Sequence, residues 1–92
     1  MEIRRISVIV KGLVQGVNFR FFTSEAALKT GVSGWVRNLS DGNVEIEAQG
    51  TEERLERFIR EVRKGPRLSL VESTSITDIP VIDNENGFVV RS

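Results

Sequence analysis

A chain of 92 residues whose 13 basic and 13 acidic side chains cancel has no general electrostatic grip on DNA or RNA. Cysteine and histidine are both absent, which excludes a disulfide framework, a thiol nucleophile, a zinc–thiolate site and the commonest general base. The 39% hydrophobic content suits one domain over residues 1–92, while the lack of an apolar run near the ~20 residues of a membrane span, or of a signal peptide in Met-Glu-Ile-Arg-Arg, makes the cytoplasm the expected compartment.

Residues 3–11 alternate as a strand, with Ile6, Val8 and Val10 on one face and Ser7, Ile9 and Lys11 on the other. Lys11 reads as a solvated strand-end lysine. Residues 12–20, Gly-Leu-Val-Gln-Gly-Val-Asn-Phe-Arg, form a strand-to-helix turn with a glycine on each side of Leu13-Val14-Gln15. A helix then spans residues 19–30, with Phe19, Phe22 and Ala26 on one face. Phe21 and Leu28 lie nearly opposite, and the pattern leaves open whether they meet solvent or a neighbouring helix. Gly31 suits the position just past the helix end.

A second strand covers residues 32–39 and carries Trp35, which reads as packed in or beside the core. Asp41-Gly42 marks a hairpin, and the third strand, residues 43–49, alternates Val44, Ile46 and Ala48 with Glu45, Glu47 and Gln49. One face is therefore buried and the other wet. Thr51 is the expected N-cap of a second helix, with Leu55, Phe58, Ile59 and Val62 as its apolar stripe and Gly65-Pro66 as its stop. Residues 67–70 are a loop, residues 71–79 an edge strand ended by Pro80, residues 84–87 a turn, and residues 88–91 a short last strand. The order β-α-β-β-α-β, with a short extra C-terminal strand, specifies an α+β ferredoxin-like two-layer sandwich, two helices on one face of an antiparallel sheet.

The turn at residues 12–20 is the first site of interest. Unpaired N–H groups and the helix dipole make it a cradle for one phosphoryl group, and Arg20 adds a fork matching two phosphate oxygens. It lacks the Gly-Lys-Ser/Thr ending of a nucleotide P-loop and the Gly-x-Gly-x-x-Gly spacing of a dinucleotide fold. Turns of this spacing also occur as plain connections. Asn38 is the second. Its amide could orient a water without titrating, although from the residues alone an asparagine that simply starts the hairpin is the better reading. Asp41, Glu45 and Glu47 form no catalytic pair and read as solvated; no spacing suits calcium or magnesium.

Gly12-Leu-Val-Gln-Gly-Val-Asn-Phe-Arg20 followed by Thr23 resembles the first signature of the acylphosphatases, and Gly34-Trp-Val-Arg-Asn38 with Asp41-Gly-Asn-Val-Glu45 resembles their second. Ala48-x-Gly50, Gly65-Pro66 and Phe88-x-x-Arg91 extend the similarity over essentially the whole chain. The resemblance implies an enzyme that hydrolyses acyl phosphates to a carboxylate and phosphate. Arg20 would hold the phosphate and Asn38 would position the attacking water. The backbone of Gln15, Gly16, Val17, Asn18 and Phe19 would surround the phosphate. Leu13 and Asn18 depart from the commonest pattern, and neither replaces a catalytic group.

The missing histidine agrees with that chemistry, because a carboxylate leaves without protonation and phosphoryl transfer needs mainly positioning and charge stabilisation. No metal and no cofactor are implied. The expected partner is a small-molecule acyl phosphate, with no nucleic acid and no membrane, and the chain is expected to act as a monomer. Three rivals share the fold. One is an anion-binding regulatory module without turnover. Another is an RNA-binding domain, disfavoured by glutamates on the wet face. The last is the N-terminal piece of a larger carbamoyl-phosphate-using maturation protein, against which the length and the capped ends favour a free-standing enzyme.

Overall fold

Alternating apolar side chains on the first and third strands give one sheet face to bury, and two helices cover it. The computed structural model describes residues 2–92. It contains β1 (Ile3–Leu13), α1 (Phe19–Thr30), β2 (Ser33–Asn38), β3 (Val44–Thr51), α2 (Glu52–Lys64), β4 (Leu70–Ile79) and β5 (Phe88–Val90). The strand order is β4-β1-β3-β2-β5, so the polar strand expected at an edge is at one. This is the ferredoxin-like α+β sandwich. Four strands pair antiparallel, but β5 runs parallel to β2, so the five-stranded sheet is mixed.

The core lies between this sheet and the helices. Ile6, Val8 and Val10 of β1 and Val44, Ile46 and Ala48 of β3 are buried with Leu55, Phe58, Ile59 and Val62 of α2. Both expected caps of α2 form: the Thr51 hydroxyl accepts from the Arg54 N–H, and the Gly65 N–H donates to Glu61 O. In α1 the buried residues are Phe19, Thr23, Ala26 and Ala27. Thr23 takes the place expected of Phe22, which is half-buried. Its hydroxyl donates to Phe19 O at 2.9 Å, so burial leaves no polar atom unpaired. Phe21 and Leu28 face solvent.

Strand β1 runs two residues past its expected end. The register against β4 shifts between Lys11 and Gly12, and Gly12 and Leu13 then pair with Val71 and Leu70. Gly12 has a φ of 134°, and a Cβ there would collide with the backbone oxygen of Leu70, so the bulge depends on glycine. It carries β1 up to the turn that precedes α1.

The sheet face away from the helices is less wet than its glutamates suggest. Arg5, 2% exposed, lies on it, with Nε donating to Glu47 at 3.0 Å and Nη1 to Glu85 at 2.8 Å. The connection from β4 to β5 crosses this face. It is held there by Glu85 and by the two hydrogen bonds between the Gln49 side chain and the Ile82 backbone, each 3.0 Å. Trp35 lies on the same face, stacked under the Arg91 guanidinium at 4.4 Å. Glu45 and Glu47, expected to be merely solvated, are therefore paired, with Arg37 and Arg5 respectively.

Candidate active site

Because Gly12 and Leu13 belong to β1, the turn itself is only Val14 to Asn18. Val14 and Phe19, each 1% exposed, anchor its two ends in the core. Between them the backbone reverses hand twice, at Gly16 (φ 74°) and at Asn18 (φ 69°, ψ 25°), on either side of Val17. Left-handed residues interleaved with ordinary ones turn successive N–H groups toward a common point and make an anion-binding concavity. A Cβ on Gly16 would meet nothing within 4 Å, so the turn needs glycine there for its φ and not for space. Asparagine is among the few side chains that adopt the left-handed region readily. Asn18 makes no side-chain capping bond, and α1 starts with its dipole aimed at the turn.

Gln15 ties the turn to the β2–β3 hairpin. Its Nε2 donates to Leu39 O and to Asn43 O, both at 2.7 Å. These carbonyls flank the hairpin that follows Asn38, the last residue of β2. Strand alternation puts Asn38 on the helix side of the sheet, with Val36 and its partner Val44. The Asn38 amide is half-buried and makes no side-chain hydrogen bond to any described residue, so its donors and acceptor are open to a bound molecule.

Arg20, in the first turn of α1, reaches across to the C-terminal strand. Its Nη1 donates to Arg91 O at 2.7 Å, and Arg91 N in turn donates to Val36 O at 2.8 Å. The acceptor that steers Arg20 is thus itself fixed to the neighbouring strand. One of five guanidinium donors is used in this way, and no carboxylate among the described residues pairs with Arg20.

The elements meet around an open cleft of about 320 Å³. Gly16, Asn18, Phe19, Arg20 and Asn38 line it. Two of the seven residues singled out in the sequence do not. The Gln15 side chain is committed to the hairpin, and Val17 packs partly against the core. Sequence reasoning missed three contributors. The helical pattern leaves the direction of Phe21 open, Val90 carries no motif, and the Arg91 carbonyl is a backbone group that no residue type announces. Among the described residues no group of three or more Asp, Glu, His or Cys is placed to hold a metal ion.

Comparison with known proteins decides the family. The acylphosphatase family model matches residues 6–90. The chain belongs to the acylphosphatase family. It is thereby a hydrolase. It is 47% identical over 88 residues to the acylphosphatase of Bifidobacterium longum, covering 95% of this chain and 91% of that one. The crystal structure of the acylphosphatase from Bacillus subtilis superposes with a TM-score of 0.92 at 37% identity, covering 97% of this chain and 99% of that one. The full-length HypF structure in its phosphate- and nucleotide-bound form also matches, with a TM-score of 0.86 and 29% identity. There the match covers 99% of this chain but only 12% of the other. No helix among the described residues is long and apolar enough to cross a membrane.

Proposed function

We propose that this acylphosphatase-family chain hydrolyses acyl phosphates at the cleft between the turn, the N-terminus of α1 and the end of β2, without a metal or cofactor. The reading includes action as a monomer in the cytoplasm. The observation that carries it is convergence: a guanidinium with spare donors, a backbone turned twice to the left and an uncommitted amide all line one small cleft. The phosphoryl group sits against the N–H groups of residues 15–19, with the spare Arg20 donors on its equatorial oxygens. Asn38 holds a water in line with phosphorus. The water oxygen bonds to phosphorus as the bridging P–O bond breaks, and the bond's electrons leave with the carboxylate. The water's protons end on the phosphate product or in solvent, so no general acid is needed. Fixed amides and one arginine offset the charge of the transition state.

Benzoyl phosphate hydrolysis in EDTA tests the reading. The unaltered protein turns the substrate over, which separates it from an anion-binding module. Arg20→Ala lowers the rate about 10³- to 10⁵-fold, the range of comparable charge-stabilising groups. Asn38→Ala lowers kcat while competitive inhibition by inorganic phosphate persists. Near-normal hydrolysis by Arg20→Ala would end the assignment.

A further inference from the structure

The cleft extends beyond the turn, Arg20 and Asn38 to Phe21 and Val90. Two of its walls are apolar and solvent-facing: Phe21 on α1, 56% exposed, and Val90 at the end of β5, 44% exposed. Neither side chain joins the core. Phe21 follows Arg20 directly, and Val90 precedes the residue whose carbonyl holds Arg20. The two therefore flank the guanidinium, one from each chain segment that positions it. Other exposed apolar side chains near this end of the sheet, Leu68 and Leu70, do not line the cleft.

We infer that Phe21 and Val90 form a contact surface for the acyl group, and that the enzyme favours acyl phosphates whose acyl part is apolar and flat or bulky. The inference rests on the proposed hydrolase reading, because an acyl group reaches this rim only if its phosphate sits in the cradle below. An acyl phosphate held there by its dianion extends its carbonyl substituent away from phosphorus and out of the cleft. Phe21 and Val90 are the apolar side chains that line the cleft and remain exposed. A phenyl or branched alkyl substituent gains contact with the Phe21 ring and the Val90 methyls, whereas a methyl group is too short to cover them. The rim is open on one side, so its selectivity belongs at the low end of what an enclosed apolar pocket achieves.

The test is the ratio of kcat/KM for benzoyl phosphate to kcat/KM for acetyl phosphate in purified full-length protein. Differences in intrinsic reactivity between the two substrates cancel when the ratio is compared between variants. Phe21→Ser and Val90→Ser each lower the ratio, Phe21→Ser by about tenfold. Leu68→Ser, an exposed apolar change away from the cleft, leaves the ratio as it is. Both cleft residues are substantially exposed, so their replacement does little to folding, and inhibition by inorganic phosphate, which has no acyl part, reports whether the cradle is intact. An unchanged ratio in both Phe21→Ser and Val90→Ser, with both substrates still hydrolysed, overturns the acyl contact alone. Failure of the unaltered protein to hydrolyse either substrate overturns the hydrolase reading and the acyl contact with it.

Discussion

Asn18 adopts a φ of 69° although it carries a side chain. For most L-residues that backbone costs roughly 1–2 kcal/mol; asparagine and glycine largely escape it. The sequence marks Asn18 as a departure from the commonest motif, and the left-handed backbone supplies the physical reason it is tolerated. Asn18→Gly therefore leaves the urea midpoint nearly unchanged. Asn18→Val, β-branched and unable to relax there, lowers stability by about 1–2 kcal/mol and slows turnover by disturbing the N–H groups around it. Equal midpoints for the valine and glycine variants would show that the turn does not depend on the left-handed conformation. Arg20 is constrained differently. Its charge was evident from the sequence, but its direction comes from the Arg91 carbonyl, 71 residues away in the chain.

At the scale of elements, the turn and the hairpin are separate pieces of chain that must keep a fixed separation, and Gln15 is the side chain that joins them. Replacing it with leucine preserves much of its bulk and removes both hydrogen bonds to Leu39 O and Asn43 O. The hairpin keeps its own Leu39 N–H to Asn43 O bond of 2.9 Å, so it still forms. Gln15→Leu is expected to cost about 1–2 kcal/mol and to lower kcat more than it weakens phosphate inhibition, because Asn38 moves relative to the cradle. A kcat at the unaltered level would mean that the hairpin holds its place without the tie. Element order, both helix caps and the hairpin were legible in the sequence, since each rests on local periodicity or on one turn residue. The extension of β1 was not, because the Gly12 bulge arises from pairing with β4. Nor was the parallel course of β5: three residues fix a strand, but not its partner. The buried place of Thr23 depends on a hydroxyl bonding back to Phe19, which an apolar periodicity cannot register.

Across the whole molecule, the least legible feature is the ion-pair network on the sheet face opposite the helices. Arg5 reads in the sequence as part of a charged N-terminus, yet its side chain is 1% exposed, bonded at once to Glu47, Gln49 and Glu85. Glu85 lies in the connection that leads from β4 across this face into β5, and so to the carbonyl that steers Arg20. Burial by itself would raise the Glu85 carboxyl pKa. Hydrogen bonds from Arg5 and Ser33, with the charges of Arg5 and Arg91, outweigh burial and hold it below the ordinary carboxylate range. A carboxyl whose folded pKa is depressed stabilises the fold at pH values above its unfolded pKa. That contribution fades as pH falls through the ordinary range and is gone below the folded value. Glu85→Gln keeps the shape and removes the charge facing a buried guanidinium, at a cost of about 1.5–3 kcal/mol at pH 7, with each kcal/mol worth about 4–8 °C in Tm for a domain of this size. The gap in stability between the two proteins should close as the pH is lowered through the carboxylate range, because the unaltered protein loses what the variant never had. A gap undiminished down to pH 3 would mean that the loss in Glu85→Gln has a cause other than the carboxylate charge, and no gap at pH 7 would mean that the Gln49–Ile82 bonds hold the connection without it.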